Sequence, residues 1–225
     1  MTTLVVLFDL DGTVLTFDGA PPGPGRTALE RAMQELYGLA RATDGLRVAG
    51  GTDRGLARAL LGRAGAIADD AAIDRVIRSY LRHLAEGTIE RHYRPVGDVA
   101  GAVTRLRERG AVVGIATGNV REGARIKLGS AGLHETFDLA LGGFGDDAEA
   151  RADIVRIGAQ RCAASRPARL VVVGDTERDV HAGRAVGARV VGVASNDTAR
   201  KELAAAGADA IADACDEALV DAIFA

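Results

Sequence analysis

Three short clusters in this 225-residue chain carry residue types that can do chemistry together. Asp9-Leu10-Asp11-Gly12-Thr13 closes an apolar run; alternate residues of a strand share a face, so Asp9 and Asp11 are expected to point toward one centre while Leu10 packs away. Gly12 lets the chain turn sharply after them. Asp175 and Asp179, within Gly174-Asp175-Thr176-Glu177-Arg178-Asp179, follow a second apolar run, and their spacing of four sets them one helical turn apart. Thr117-Gly118-Asn119 follows a third, where a hydroxyl beside free backbone N–H groups at a helix start makes a phosphate cradle. Crowded carboxylates raise one another's pKa and repel unless a cation neutralises them. All-oxygen ligation beside a phosphate favours Mg²⁺, which keeps waters and takes only one or two carboxylates. Taken singly, each cluster has a plainer reading as an acidic turn, a helix cap or an ordinary loop. Their shared position at strand ends is what argues for one site.

The elements that would position them are legible from periodicity. Apolar, β-branched runs at residues 4–8, 112–116, 170–173 and 190–193 read as buried parallel strands, with weaker candidates at 137–141 and 210–211. Helical patterns at 97–109, 121–131, 149–161, 177–186, 198–206 and 215–224 separate them. Parallel strands need crossover helices, so this alternation predicts an α/β fold, a doubly wound parallel sheet. In open α/β sheets ligands sit beyond the carboxyl ends of the strands, which places Asp9, Asp11, Thr117 and Asp175 on one edge. Residues 16–92 break the alternation with helical patterns at 25–37, 53–63 and 71–85. They are expected to form an inserted helical cap, leaving 1–15 and 93–225 as the Rossmann-like core. The Gly- and Pro-rich stretch at 19–25 and Pro95 mark its borders.

Composition limits the partners. With 48% hydrophobic and 26% charged residues, the chain has the make-up of a globular protein. A formal net charge of −3 offers no basic field for a nucleic acid, so a small phosphorylated metabolite is the expected partner. The run at 4–8 is too short for a membrane span or a signal peptide, and Cys162 and Cys215 have no motif spacing. A reducing cytoplasm is the expected setting, with no membrane partner. Oligomeric state is not encoded in these features.

These motifs, in this order from Asp9 to Asp179, resemble the haloacid dehalogenase superfamily and most closely its phosphoglycolate phosphatase-like branch. The resemblance implies a Rossmann-like core with a helical cap and Mg²⁺-dependent hydrolysis of a phosphate monoester. It makes Asp9 the nucleophile that becomes an aspartyl-phosphate, and Asp11 the acid that protonates the leaving oxygen and then activates water. It gives the metal to Asp9, the Asp11 carbonyl and Asp175, with Asp179 in support, and the phosphate to Thr117, Gly118 and Asn119. A carboxylate can attack a phosphoryl group only when the phosphate's charge is neutralised, which is why these groups must converge.

The family's Lys-Pro segment is absent; it would fall near Ala150-Arg151. Lys127 and Arg151 are the two substitutes for the phosphate-binding cation, and Lys127 is expected to lead. Lysines are rare here, with only Lys127 and Lys201 among 28 basic residues, and Lys127 would have to point back along its helix toward Thr117. The segment 50–54 is a candidate specificity loop, with Asp53 alternatively a plain helix N-cap. Gly142-Gly143-Phe144-Gly145 reads as a strand-end loop, and the four dispersed histidines as surface or structural. Two rival functions remain open: a phosphosugar mutase of the same family, and a non-catalytic binding module that keeps the fold.

Overall fold

The computed structural model describes residues 2–225. Five strands form one parallel sheet: β1 (Thr3–Phe8), β4 (Ala111–Ile115), β5 (Ala168–Gly174), β6 (Arg189–Val193) and β7 (Ala210–Ala212), in the order β4-β1-β5-β6-β7. β1 is its second strand, between β4 and β5. Val5, Val6, Leu7 and Phe8 are wholly buried, and each contributes about 1.5–3 kcal/mol relative to exposure. Their side chains alternate between two cores. Val6 and Phe8 join Val99, Val103 and Leu106 of α4 (Val99–Glu108) and Leu219 and Ile223 of α9 (Glu217–Phe224). Val5 and Leu7 join Ile154 and Val155 of α6 (Arg151–Ala163) and Ala182 of α7 (Glu177–Ala185) on the other face. Helices thus cover both faces, α5 (Arg121–Ser130) and α8 (Asp197–Ala206) completing the set, which is the doubly wound architecture that the alternation predicts.

Register decides what emerges at the sheet edge. Phe8 pairs with Ile115 of β4 and Val173 of β5, Asp9 N donates to the Val173 carbonyl at 2.9 Å, and Ala116 N donates to that of Phe8 at 2.9 Å. The residues just past these three strands therefore leave together.

Between β1 and β4 stand the three cap helices α1 (Pro24–Tyr37), α2 (Asp53–Arg63) and α3 (Asp70–Glu90). The buried stripe Ile73, Val76, Ile77, Tyr80 and Leu84 has helical spacing and shares a core with Leu29, Ala32 and Met33 of α1. α3 runs five residues beyond the expected end at 85, because Gly87 is tolerated and the Thr88 hydroxyl donates to the Ala85 carbonyl. Two further differences concern strands. Residues 137–141 form a 3₁₀ turn at Leu139–Leu141 instead of a strand: Asp138 caps it by accepting from Ala140 N, and Phe137 is held edge-on against Phe8. A two-stranded antiparallel ribbon, β2 (Leu15–Phe17) with β3 (Tyr93–Pro95), joins the cap to the sheet, each strand too short to register as a periodic run.

Candidate active site

At the carboxyl edge of the sheet the three clusters meet. Asp9 is only 4% exposed, and its Oδ1 lies 2.6 Å from Nη2 of Arg151, the first residue of α6. Carboxylate oxygens of Asp9, Asp175 and Asp179 lie within 4.8 Å of one another. Burial pushes the Asp9 carboxyl up to about 6, with Arg151 pulling it back and Asp179 pushing further. Burial, then Asp179 and Asp9, push Asp175 well above the ordinary carboxylate range. Three carboxylates, two buried and one half-buried, against one guanidinium leave negative charge unbalanced, and an all-oxygen donor set of this kind fits a hard divalent cation. Gly12 is obligatory beside them: its φ is +87°, and a Cβ there would sit 2.0 Å from Asp175 Oδ2.

Asp179 is fixed from two sides. Its Oδ2 accepts from Thr176 N (3.0 Å) and Thr176 Oγ1 (2.6 Å) at the start of α7, and its Oδ1 accepts from Arg151 Nε (2.8 Å) and Nη2 (2.5 Å). Burial works against the Arg151 charge, but Asp179 and Asp9 outweigh it and hold the guanidinium firmly cationic.

Asp11 belongs to a second network. Its side chain keeps 46% exposure at the cleft, and its Oδ2 accepts from Asn119 Nδ2 at 2.8 Å and Lys127 Nζ at 2.5 Å. Lys127, 4% exposed, also donates to Asn119 Oδ1 at 2.5 Å, so its side chain does run back toward the amino end of α5. Burial would raise the Asp11 pKa, but Lys127 and Asn119 outweigh it and hold the carboxyl below its ordinary value. Asn119 Nδ2 also donates to Thr117 Oγ1 at 2.9 Å, while Thr117 N donates to the Gly143 carbonyl at 3.1 Å, giving the 142–145 loop its place behind the site. Gly118 is where cap meets core: a Cβ there would stand 2.3 Å from the Gly51 carbonyl oxygen.

The two candidate cations are divided between the two acidic groups of the first motif. Arg151, ranked second from sequence, contacts Asp9; Lys127, ranked first, contacts Asp11. Sequence position alone misses three further contributors. Thr13 Oγ1 donates to Asp175 Oδ1 at 3.2 Å, and Tyr80 and Tyr93 line the cleft; only Thr13, inside the first motif, carried any local signal.

A cavity of about 380 Å³ opens over this edge, lined by Asp9, Asp11, Thr117, Asn119, Lys127, Arg151 and Asp175 from the sheet side and by Phe17, Leu29, Leu56 and Tyr80 from the cap. None of the four histidines lines it. Asp53 enters it but is not the helix cap: Thr52 caps α2, accepting from Gly55 N, and Asp53 is the first helical residue. Its N donates to the Gly118 carbonyl at 2.8 Å and its Oδ2 accepts from Val120 N at 2.9 Å, tying the cap to the Thr117-Gly118-Asn119 loop. Arg54 turns away to Asp74 and Asp70, at 2.6 and 3.1 Å, and so takes no part in the loop's contact with the site.

Asp53 gives a stability prediction. Burial raises its carboxyl from 3.8 to about 6, against the pull of Lys127 and Val120 N–H. A folded pKa above the unfolded one means that the fold binds the proton more tightly, so stability falls as pH rises through that window. Asp53→Asn keeps the acceptor and removes the charge; its Tm should exceed that of wild type by about 2 °C or more at pH 7.5 and match it near pH 4. A lower Tm at pH 7.5 would show that the charge itself stabilises the seam.

A haloacid dehalogenase-like hydrolase family model matches residues 3–187, covering both ends of this site. The chain belongs to the haloacid dehalogenase-like hydrolases. Within that family, a phosphoglycolate phosphatase from Thiobacillus denitrificans is 27% identical over 187 residues, 82% of this chain and 80% of that protein. A phosphoglycolate phosphatase from Aquifex aeolicus is 25% identical over 189 residues, 82% of each chain. The fold is shared with the crystal structure of CbbY from Rhodobacter sphaeroides in complex with phosphate, at a TM-score of 0.73 and 18% identity, covering 98% of this chain and 100% of that one. The haloacid dehalogenase-like assignment, its phosphoglycolate phosphatase-like branch and the clustered aspartates agree with a hydrolase of this general class. Among the described residues no helix is long and apolar enough to cross a membrane.

Proposed function

We propose that this protein is a Mg²⁺-dependent phosphatase that hydrolyses a small phosphate monoester through a covalent aspartyl-phosphate on Asp9. The observation carrying this reading is the Asp9 carboxylate, buried, 2.6 Å from Arg151 and grouped with Asp175 and Asp179. Asp9, the Asp11 carbonyl and Asp175 would hold Mg²⁺, with Asp179 in support. When bound, the ion neutralises phosphoryl charge and lets a carboxylate approach it.

In the first half-reaction Asp9 bonds to phosphorus while the bond from phosphorus to the ester oxygen breaks, and Asp11, in its protonated form, gives its proton to that oxygen and is left ionised. Water then adds to phosphorus, Asp11 takes its proton, and the bond to Asp9 breaks, releasing inorganic phosphate. Lys127 favours the ionised form of Asp11, the form that takes a proton from water. Thr117, Gly118 and Asn119 receive the phosphoryl oxygens through hydroxyl, amide and backbone N–H groups. The cap, assigned to residues 16–92, closes over the 1–15 and 93–225 core about the β2–β3 ribbon and excludes bulk water. The buried, unpaired thiols of Cys162 and Cys215 suit a cytoplasmic setting.

A panel of phosphate esters assayed with Mg²⁺ tests the reading, and a metal-loaded wild type that turns over none of them would sink it. Arg151 is assigned to the transferring phosphoryl group and Lys127 to holding Asp11. With an aryl phosphate, whose leaving group needs little protonation, Arg151→Ala should lower kcat/KM by about 10²-fold or more and Lys127→Ala by less. With an alkyl phosphate, whose leaving oxygen needs a proton, the Lys127→Ala loss should shrink, because Asp11 without the ammonium beside it is protonated more readily. The opposite ranking on both esters would return the phosphate to Lys127.

A further inference from the structure

Given a phosphatase at this site, we infer that its substrates carry one anionic group only, the phosphoryl itself, on an uncharged and mainly apolar organic part. Three cations line the cavity: Arg26, Lys127 and Arg151. Each is already matched to protein carboxylates. Arg151 holds Asp9 and Asp179. Lys127 holds Asp11 at 2.5 Å. Arg26, at the mouth, donates to Thr43 Oγ1 at 2.7 Å and lies 3.5 Å from both Glu30 and Asp44.

On the cap side stands a carboxylate with no cation of its own within ion-pair distance among the described residues. Asp53 Oδ2 accepts from Val120 N, and at neutral pH the group is ionised although burial lifts it to about 6. A carboxylate or second phosphate on the organic part of the substrate would face Asp11 and Asp53, and Lys127, whose charge reaches both, is already paired with Asp11. Like charges brought together in a desolvated cleft are strongly disfavoured, and such repulsion is a common route to specificity. The other cap-side walls are apolar or aromatic, from Phe17, Pro22, Leu29, Leu56 and Tyr80. Arg178 has no carboxylate partner among the described residues, but it lines a separate cavity beside His181, packed against Gly50 of the cap loop.

This separates the chain from two neighbouring activities. A phosphosugar mutase must hold a bisphosphate, and the cleft has no receptor for its second phosphate. A phosphatase selective for glycolate phosphate must hold a carboxylate, and Asp53 occupies the cap wall instead.

The test compares matched esters under Mg²⁺: phenyl phosphate against 4-carboxyphenyl phosphate, and propyl phosphate against phosphoglycolate. Each uncharged member should show kcat/KM at least about tenfold above its carboxylated partner. Asp53→Asn, which keeps the acceptor for Val120 N, should narrow that gap by improving the carboxylated esters. Equal or better turnover of the carboxylated esters by wild type overturns the inference. Equal effects of Asp53→Asn on both members overturn the role of Asp53. Affinities of the Asp9→Asn variant for the same esters, measured by calorimetry with Mg²⁺, rank them independently of turnover. If no ester turns over, the phosphatase reading fails, while tighter binding of the uncharged members would still uphold the charge preference and tighter binding of the carboxylated members would overturn it.

Discussion

Asp9→Asn is expected to lower kcat by at least about 10⁴-fold, the scale on which removing a covalent nucleophile acts. The amide keeps nearly the same shape and one acceptor for Arg151, so the loss is chemical and not structural. Burial already drives the Asp9 carboxyl toward neutrality, up to about 6, so a neutral amide fits this environment and the variant should melt no lower than wild type. Steady-state turnover of an aryl phosphate and a thermal melt of the same sample check both halves. A variant that keeps more than a few per cent of wild-type kcat would rule out attack by Asp9. Rapid-quench mass spectrometry adds a direct readout, since a phosphorylated peptide containing Asp9 should appear in wild type and be absent from the variant.

Stripping divalent metal should abolish turnover, and Mg²⁺ should restore it. The charge balance around Asp175 is the reason: burial, Asp179 and Asp9 push its carboxyl well above the ordinary range, while Arg151 is the single guanidinium facing the group. Asp175→Ala should need about 10–100-fold more Mg²⁺ for half-maximal activity. The linkage has a definite sign. Asp9 and Asp175 have folded pKa values above the ordinary 3.8, so metal-free protein loses stability as pH rises through the window from about 4 to 6 and beyond. Mg²⁺ returns that stability by binding the ionised carboxylates. Its effect on Tm should be largest above pH 6 and vanish near pH 4, where protons occupy the same groups. Full activity in thoroughly chelated enzyme, or a Tm indifferent to Mg²⁺ at pH 7.5, would remove the metal from the proposal.

The features of the candidate site that are legible in the amino-acid sequence are the local ones. A strand buried on both faces must be a continuous apolar run, so β1, β4, β5 and β6 announce themselves, and an Asp or Thr just past such a run lies on the carboxyl edge. Phe137 shows the limit of that logic. Its segment is apolar enough for a strand, yet Asp138 closes a 3₁₀ turn there and the sheet stops at β4. The β2–β3 ribbon escapes for the opposite reason: three residues are too few to show a period, and the pairing joins positions nearly eighty residues apart in sequence.

The division of labour between Arg151 and Lys127 shows the same boundary within the site. Both are basic residues on helices that follow the sheet edge, and rarity and spacing favoured the lysine. Strand order sets which carboxylate each one meets: β5 lies beside β1, so α7 brings Asp179 next to Asp9, and α6 on that face delivers Arg151 between them. α5 starts from β4 on the other side of β1, where Asn119 and Lys127 meet Asp11. Asp53 is more extreme, for nothing local distinguishes a site carboxylate from a helix cap until the cap is folded against Val120. Sequence by itself determined the core strands β1, β4, β5 and β6, the acidic motifs and the edge they share, because burial periodicity and strand-end position are properties of short segments. Only the tertiary structure decided which cation meets which carboxylate and what faces the substrate's organic part, because those pairings depend on strand order and on the contact between cap and core.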